Sequence, residues 1–158
     1  MRKLPKIINQ EEFEKIFKAE KNKKIKLAML LGFEAGMRIS EIVGLKGKDG
    51  FMRIKPLSQD KVESASIFIS EGKGRKDRIV PRPKRLNETA KAMLPLKVSR
   101  RTLQRHVTHL GSTVLKKKIN FHTLRHGFCS HLAEQGRPLH EIQMLAGHSR
   151  LDTTGIYL

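Results

Sequence analysis

Tyrosine is almost missing from this chain. Of 158 residues one is tyrosine, Tyr157, next to last in the sequence, and tryptophan does not occur. Cysteine is equally scarce. A lone Cys129 cannot close an internal disulfide, which excludes a disulfide-stapled scaffold and fits a reducing compartment. In its apolar helical stretch it reads as a small core residue. No apolar run approaches 18 residues and no lipidation motif occurs, which removes a helical membrane partner. Met1-Arg2-Lys3-Leu4-Pro5 carries charge with no apolar signal core behind it. The expected location is therefore cytoplasmic. The phosphate cradles Gly-x-x-x-x-Gly-Lys-Ser/Thr and Gly-x-Gly-x-x-Gly are lacking, so no nucleotide cofactor is expected. Seven histidines are present, but no set of Asp, Glu, His and Cys has the spacing of a zinc or two-metal centre. No metal or other cofactor is expected.

Acid is the last shortage. Fifteen Asp+Glu stand against 33 Lys+Arg, a formal charge of +18. That excess exceeds what solubility needs and points to a polyanion, nucleic acid before any other. The chain length fits one domain with a real core.

The apolar pattern is mostly helical. Asn9-Gln10-Glu11-Glu12 opens a helix whose Phe13, Ile16 and Phe17 share a face. A second helix runs from about Lys24 through Leu27, Leu30, Leu31 and Phe33, with Gly36 as its stop, and a third covers Ile39 to Leu45. The period then changes. Phe51–Ile54 and Ser66–Ser70 read as strands around a polar loop from Pro56 to Ser64, and Arg78–Pro81 returns after the turn Gly72–Asp77. Helices are expected again over Glu88–Leu94, from Ser99 through Leu103, Val107, Leu110 and Val114, over Thr123–Gln135, over Leu139–Leu145, and as a final turn Asp152–Tyr157. The expected class is α+β: mainly helical, with a small three-stranded antiparallel sheet at one edge.

Several residues could carry chemistry, and each also has an ordinary structural reading. His122 and Arg125 are three apart at a helix start and share a face opposite Leu124, Phe128 and Leu132. They could hold a phosphate, or be a solvated face. His148 follows Gly147 at a helix end, where glycine is an ordinary cap. Tyr157 could be a buried aromatic with its hydroxyl on a carbonyl. Arg38 and Glu41 could be an intrahelical ion pair, or Arg38 could fork onto phosphate with Glu41 bracing it. Lys73 lies between Gly72 and Gly74 at a hairpin tip, from which it could reach DNA or a leaving oxygen. From Gly72 to Arg85 there are seven Lys/Arg and one acid, Asp77, and from Lys97 to Lys118 seven and no acid. Arg75, Lys76, Arg100, Arg101 and Arg105 are the expected DNA contacts, giving binding that falls steeply with salt. A tyrosine oxygen, with an ordinary pKa of about 10, is a poor nucleophile unless cations surround the phosphate it attacks.

The order of these blocks carries more than any one of them. Ala35-Gly36-Met37-Arg38-Ile39-Ser40-Glu41-Ile42, Gly72-Lys73-Gly74-Arg75-Lys76-Asp77-Arg78-Ile79-Val80-Pro81, His122-Thr123-Leu124-Arg125-His126-Gly127-Phe128, Gly147-His148 and Tyr157 together resemble the catalytic domain of tyrosine recombinases, the phage-integrase and Xer-like enzymes. Val98-Ser99-Arg100-Arg101-Thr102 is similar to the start of a DNA-contacting helix in that family. The resemblance covers nearly the whole chain. It implies a site-specific recombinase that cleaves and rejoins double-stranded DNA through a 3′-phosphotyrosine, without metal or ATP, and self-associates on its site. Tyr157 would be the nucleophile, Lys73 the acid for the 5′-hydroxyl, Arg38 and Arg125 the clamp on the non-bridging oxygens, His122 the acceptor of the tyrosine proton, His148 a donor to the phosphate, and Glu41 a support.

Residues 1–158 read as a single catalytic domain. It starts where that domain would, with the family's N-terminal DNA-clamping domain expected to be missing, and it stops one residue past Tyr157, before the family's usual tail. Ala146 stands where leucine is more usual, with little effect expected. Three other readings share some of these features. A type IB topoisomerase would relax supercoiled plasmid without a site. A binding module without catalysis would bind and form no adduct. A ribonuclease would cleave through a 2′-hydroxyl.

Overall fold

The computed structural model describes residues 7–70 and 77–147. Helices α1 (Gln10–Ala19) and α2 (Lys23–Glu34) are followed by the short α3 (Ile39–Val43), then β1 (Leu45–Lys46), β2 (Met52–Ile54), a 3₁₀ turn (Gln59–Lys61), β3 (Ser66–Ile69) and β4 (Arg78–Pro81). Then come α4 (Glu88–Lys91), α5 (Arg100–Leu110), a π-helical turn (Gly111–Leu115), α6 (Phe121–Glu134) and α7 (Leu139–Ala146).

Asparagine starts four of these helices. Asn9, Asn22, Asn87 and Asn120 each accept a backbone N–H of the first turn, a cap worth about 1 kcal/mol. The Asn120 cap is reciprocal: its Oδ1 accepts the Thr123 N–H at 3.1 Å, while Thr123 Oγ1 accepts the Asn120 N–H at 3.1 Å. This fixes the start of α6, the helix carrying His122 and Arg125.

The core lies where α6 packs along α2. Phe13 stacks on Phe33 with centroids 4.2 Å apart, and both rings are buried. A fully buried phenylalanine contributes about 1.5–3 kcal/mol through its apolar area. Gly32 gives the Phe121 ring room against α2, since a β-carbon there would meet the ring at 3.0 Å. Arg85 forks onto Glu14 at 2.7 and 2.9 Å and lies over the Phe17 ring, closing the outer side of this core.

The class matches expectation, but the sheet does not. In place of one three-stranded sheet there are two antiparallel pairs, β1 with β2 and β3 with β4. The third helix stops at Val43, and Leu45, expected at its end, pairs with Ile54. After β2 the chain folds back on α3, where the Leu57 N–H donates to the carbonyls of Glu41 and Ile42 at 3.1 and 3.2 Å and Leu57 is buried. The chain is thus returned to α3 directly after β2, and β3 begins only after the 3₁₀ turn. β3 and β4 are in regular register, Ser66 opposite Pro81 through Ile69 opposite Arg78. Two further helices are shorter than expected: the α4 helix ends at Lys91, and α5 passes into the π turn before Val114. The expected turn Asp152–Tyr157 lies outside the described residues.

Candidate active site

The site is built on a tight turn. Gly36, between α2 and α3, has φ +67°, and the Phe128 ring stands 2.3 Å from where a β-carbon would be. Both the conformation and the space require glycine. The Gly36 carbonyl accepts a hydrogen bond from Arg125 Nη1 at 2.6 Å. Two residues on, Arg38 is the N-cap of α3. One turn therefore fixes both arginines.

Glu41 is the hub. Its Oε1 accepts the Arg38 backbone N–H at 2.7 Å, and its Oε2 accepts Arg38 Nη1 at 3.3 Å. This is the intrahelical pair the spacing allowed. Glu41 is, however, held more tightly by a residue sequence reasoning passed over. Arg78, at the start of β4, forks onto it with Nη1 to Oε2 at 2.6 Å and Nη2 to Oε1 at 2.8 Å. Both side chains are buried, Glu41 5% and Arg78 7% exposed. Strand alternation held the signal: Arg78 shares the inward face of β4 with buried Val80, while Ile79 points out. An arginine two places from a core valine needs a buried partner. Both arginines also reach the end of α7, with Arg78 Nε donating to the Leu145 carbonyl at 3.0 Å and Arg38 Nη2 to the Gly147 carbonyl at 2.8 Å.

Arg125 corrects the reading of α6. It does not project from a solvated face; it is 2% exposed. The helix is buried on more than its Leu124–Phe128–Leu132 stripe, because Phe121, Thr123 and Gly127 are also covered. Among the described residues no carboxylate pairs with Arg125, and its Nε has no hydrogen-bond partner. Burial, then the charges of Arg38 and Arg78, bring its pKa down to about 10, so it stays charged at neutral pH. Three guanidiniums thus gather around one carboxylate among the described residues, an arrangement that attracts an anion.

His122 lies one turn before Arg125 and is exposed. Burial of part of its ring, then the charges of Arg125 and Arg38, lower its pKa from 6.5, so the ring is neutral at pH 7 and can accept a proton. The His126 ring meets it edge-on, with centroids 4.3 Å apart. His126 falls further, to about 4, from burial first and then from His122 and Arg125. Cys129, in the same helix, is fully buried as expected, and burial pushes its thiol up to about 11.

Of the sequence-predicted residues, the fold brings together Arg38, Glu41, His122 and Arg125. Arg100, Arg101 and Arg105 lie apart from them on α5, exposed, and make no ion pair among the described residues. Lys73, Arg75, Lys76, His148 and Tyr157 lie outside the described residues. Among the described residues no helix is long and apolar enough to cross a membrane, and no three His, Cys, Asp or Glu side chains group as metal ligands.

This fold is that of tyrosine-recombinase catalytic domains. It superposes on a crystal structure of XerA recombinase with a TM-score of 0.72 at 24% identity, covering 99% of this chain and 61% of that one. The catalytic domain of bacteriophage HP1 integrase matches with a TM-score of 0.67 at 22% identity, over 97% of this chain and 86% of that one. The XerH site-specific recombinase bound to difH substrate in a pre-cleavage complex matches with a TM-score of 0.72 at 25% identity, over 98% and 50%. In sequence, the profile of the Phage integrase family matches residues 6–158, and the chain belongs to that family. Tyrosine recombinase XerA of Thermococcus kodakarensis is 33% identical over 99% of this chain and 58% of its own length, and tyrosine recombinase XerD of Vibrio vulnificus is 30% identical over 98% and 56%. The chain thus spans less than two thirds of the length of these two sequence relatives.

Proposed function

We propose that residues 1–158 act as the catalytic domain of a site-specific DNA recombinase that breaks and rejoins duplex DNA through a 3′-phosphotyrosine. The observation that carries this reading is the buried Arg125, charged and without a carboxylate partner among the described residues, beside Arg38. A buried guanidinium in that state is costly unless an anion comes to it. A DNA phosphate is such an anion.

Arg38 and Arg125 take the non-bridging oxygens and stabilise the charge that builds up as the phosphorus becomes five-coordinate. The Tyr157 oxygen forms the new bond to phosphorus. His122, neutral because its pKa is lowered, takes the phenol proton. The bond to the 5′-oxygen breaks, and Lys73 gives that oxygen its proton. His148 donates to the phosphate and Glu41 holds the arginines. The reverse steps rejoin strands, so ester energy is kept and neither ATP nor metal enters. The exposed arginines of α5 hold the DNA backbone, together with Arg75 and Lys76, and copies of the chain self-associate on duplex DNA inside the cell.

The test is a denaturing gel after mixing the chain with a nicked suicide duplex, selected from a randomised pool by tightest binding. A protein band shifted by covalent DNA, and lost in Tyr157→Phe, supports the reading. Tight binding with no adduct favours a module that only binds. Relaxation of plasmid without a site favours a topoisomerase.

A further inference from the structure

Arg78 is buried, charged and not among the residues that the reaction above uses. Its contacts have a direction. The fork on Glu41, at 2.6 and 2.8 Å, is shorter than the 3.3 Å bond from Arg38 Nη1 to the same carboxylate. The Glu41 carboxylate is thus held between the Arg78 fork and the Arg38 backbone N–H at 2.7 Å, and the Arg38 side chain makes the longer bond to it. The remaining Arg78 nitrogen, Nε, holds the Leu145 carbonyl, two residues before the Gly147 carbonyl that Arg38 holds. Arg78 also lies five residues after Lys73, on the strand that leaves the Gly-Lys-Gly segment.

Stability alone gives no reason for this arrangement. A buried ion pair is commonly replaceable by apolar side chains of equal volume at no loss. What a planar fork supplies and a hydrophobe does not is a fixed angle and distance.

We propose that Arg78 is a positioning residue. It fixes the Glu41 carboxylate, and through it the Arg38 guanidinium, and ties both to β4 and to the end of α7 that leads into His148. The effect on rate rests on the recombinase reading above; the effect on geometry does not.

Two measurements test this on the whole chain. The first is amide hydrogen exchange by NMR. The Arg38 N–H, bonded to Glu41 Oε1 at 2.7 Å, exchanges about tenfold faster or more in Arg78→Lys, while the amides of α2 keep their wild-type rates. The second is single-turnover cleavage of the selected nicked duplex, alongside its binding. Arg78→Lys retains the wild-type Kd and cleaves about 100-fold more slowly, the scale of a misplaced catalytic group. Because Arg78 acts through Glu41, the double variant Arg78→Lys/Glu41→Gln cleaves no more slowly than Glu41→Gln alone.

Unchanged Arg38 exchange in Arg78→Lys overturns the proposal, whatever happens to cleavage. Losses that multiply in the double variant overturn it as well, since Arg78 would then act by its own route. A wild-type chain that forms no adduct, together with faster Arg38 exchange in Arg78→Lys, removes the recombinase reading and leaves the positioning role standing.

Discussion

Two sets of arginines in this protein do opposite things. Arg100, Arg101 and Arg105 stand exposed along α5 with no acidic partner among the described residues, in contact with solvent and counterions. Arg38, Arg78 and Arg125 are drawn inward and bound to Glu41, to the Gly36 carbonyl and to the carbonyls that end α7. The outer set costs little to keep charged and is easily screened. Arg78 and Arg125 have given up water and Arg38 most of it, so the geometry of the inner set is fixed before any ligand arrives and its charge is screened less. Salt should govern the outer set, and single-atom changes the inner one.

The comparison breaks most sharply at Glu41. Glu41→Gln leaves the buried Arg78 and the half-buried Arg38 without their carboxylate, and the fold should lose about 3–5 kcal/mol in urea denaturation. An unchanged midpoint would show that the inner arginines need no counter-charge. Arg125→Ala comes next. It should lower the single-turnover cleavage rate on the order of 100-fold, about 3 kcal/mol, while DNA affinity moves little. A comparable fall in affinity would place Arg125 with the α5 set.

Acid acts beside the inner set, on the two histidines of α6. The pKa of His126 is about 4 and that of His122 is also below 6.5, mainly through burial. Between pH 6.5 and 4 the unfolded chain binds protons that the folded chain refuses, so this stability is present above 6.5 and is lost as pH falls toward 4. His126 is partly exposed, which limits the loss to about 1–2 kcal/mol between pH 7 and pH 4.5. His126→Asn should flatten that slope. Cleavage should fall in the same direction, with a midpoint below the ordinary histidine value, as His122 gains its proton. The smallest effects belong to the outer set. Each of Arg100→Ala, Arg101→Ala and Arg105→Ala should reduce the slope of log K against log salt by about 0.9, roughly a threefold change in affinity between 50 and 200 mM salt. Cleavage at saturating DNA should stay at the wild-type rate.

The outer set was easy to read in the sequence and the inner set only in part. Arg100, Arg101 and Arg105 follow from a charge run opposite an apolar helical stripe, a local pattern. Arg38, Glu41, His122 and Arg125 are legible because their spacing and order resemble a family; spacing alone favours a structural reading of His122 and Arg125. Strand alternation marks Arg78 as buried, but its partner is 37 residues away and no local pattern ties β4 to α3. The sheet was misjudged for a similar reason. The hydrogen bonds of Leu57 to Glu41 and Ile42 are tertiary contacts, and periodicity in a strand does not reveal them.

The way α7 is attached has one more consequence. Its Ile142 and Ala146 pack with Phe128, Cys129 and Leu132 in a small cluster separate from the main core. Arg38 meets the Gly147 carbonyl across 109 residues of chain. A helix resting on its own small cluster can open while the rest stays closed. Such an opening takes the Leu145 and Gly147 carbonyls away from both arginines at once. The integrity of the site then depends on the seating of one eight-residue helix as well as on the fold as a whole.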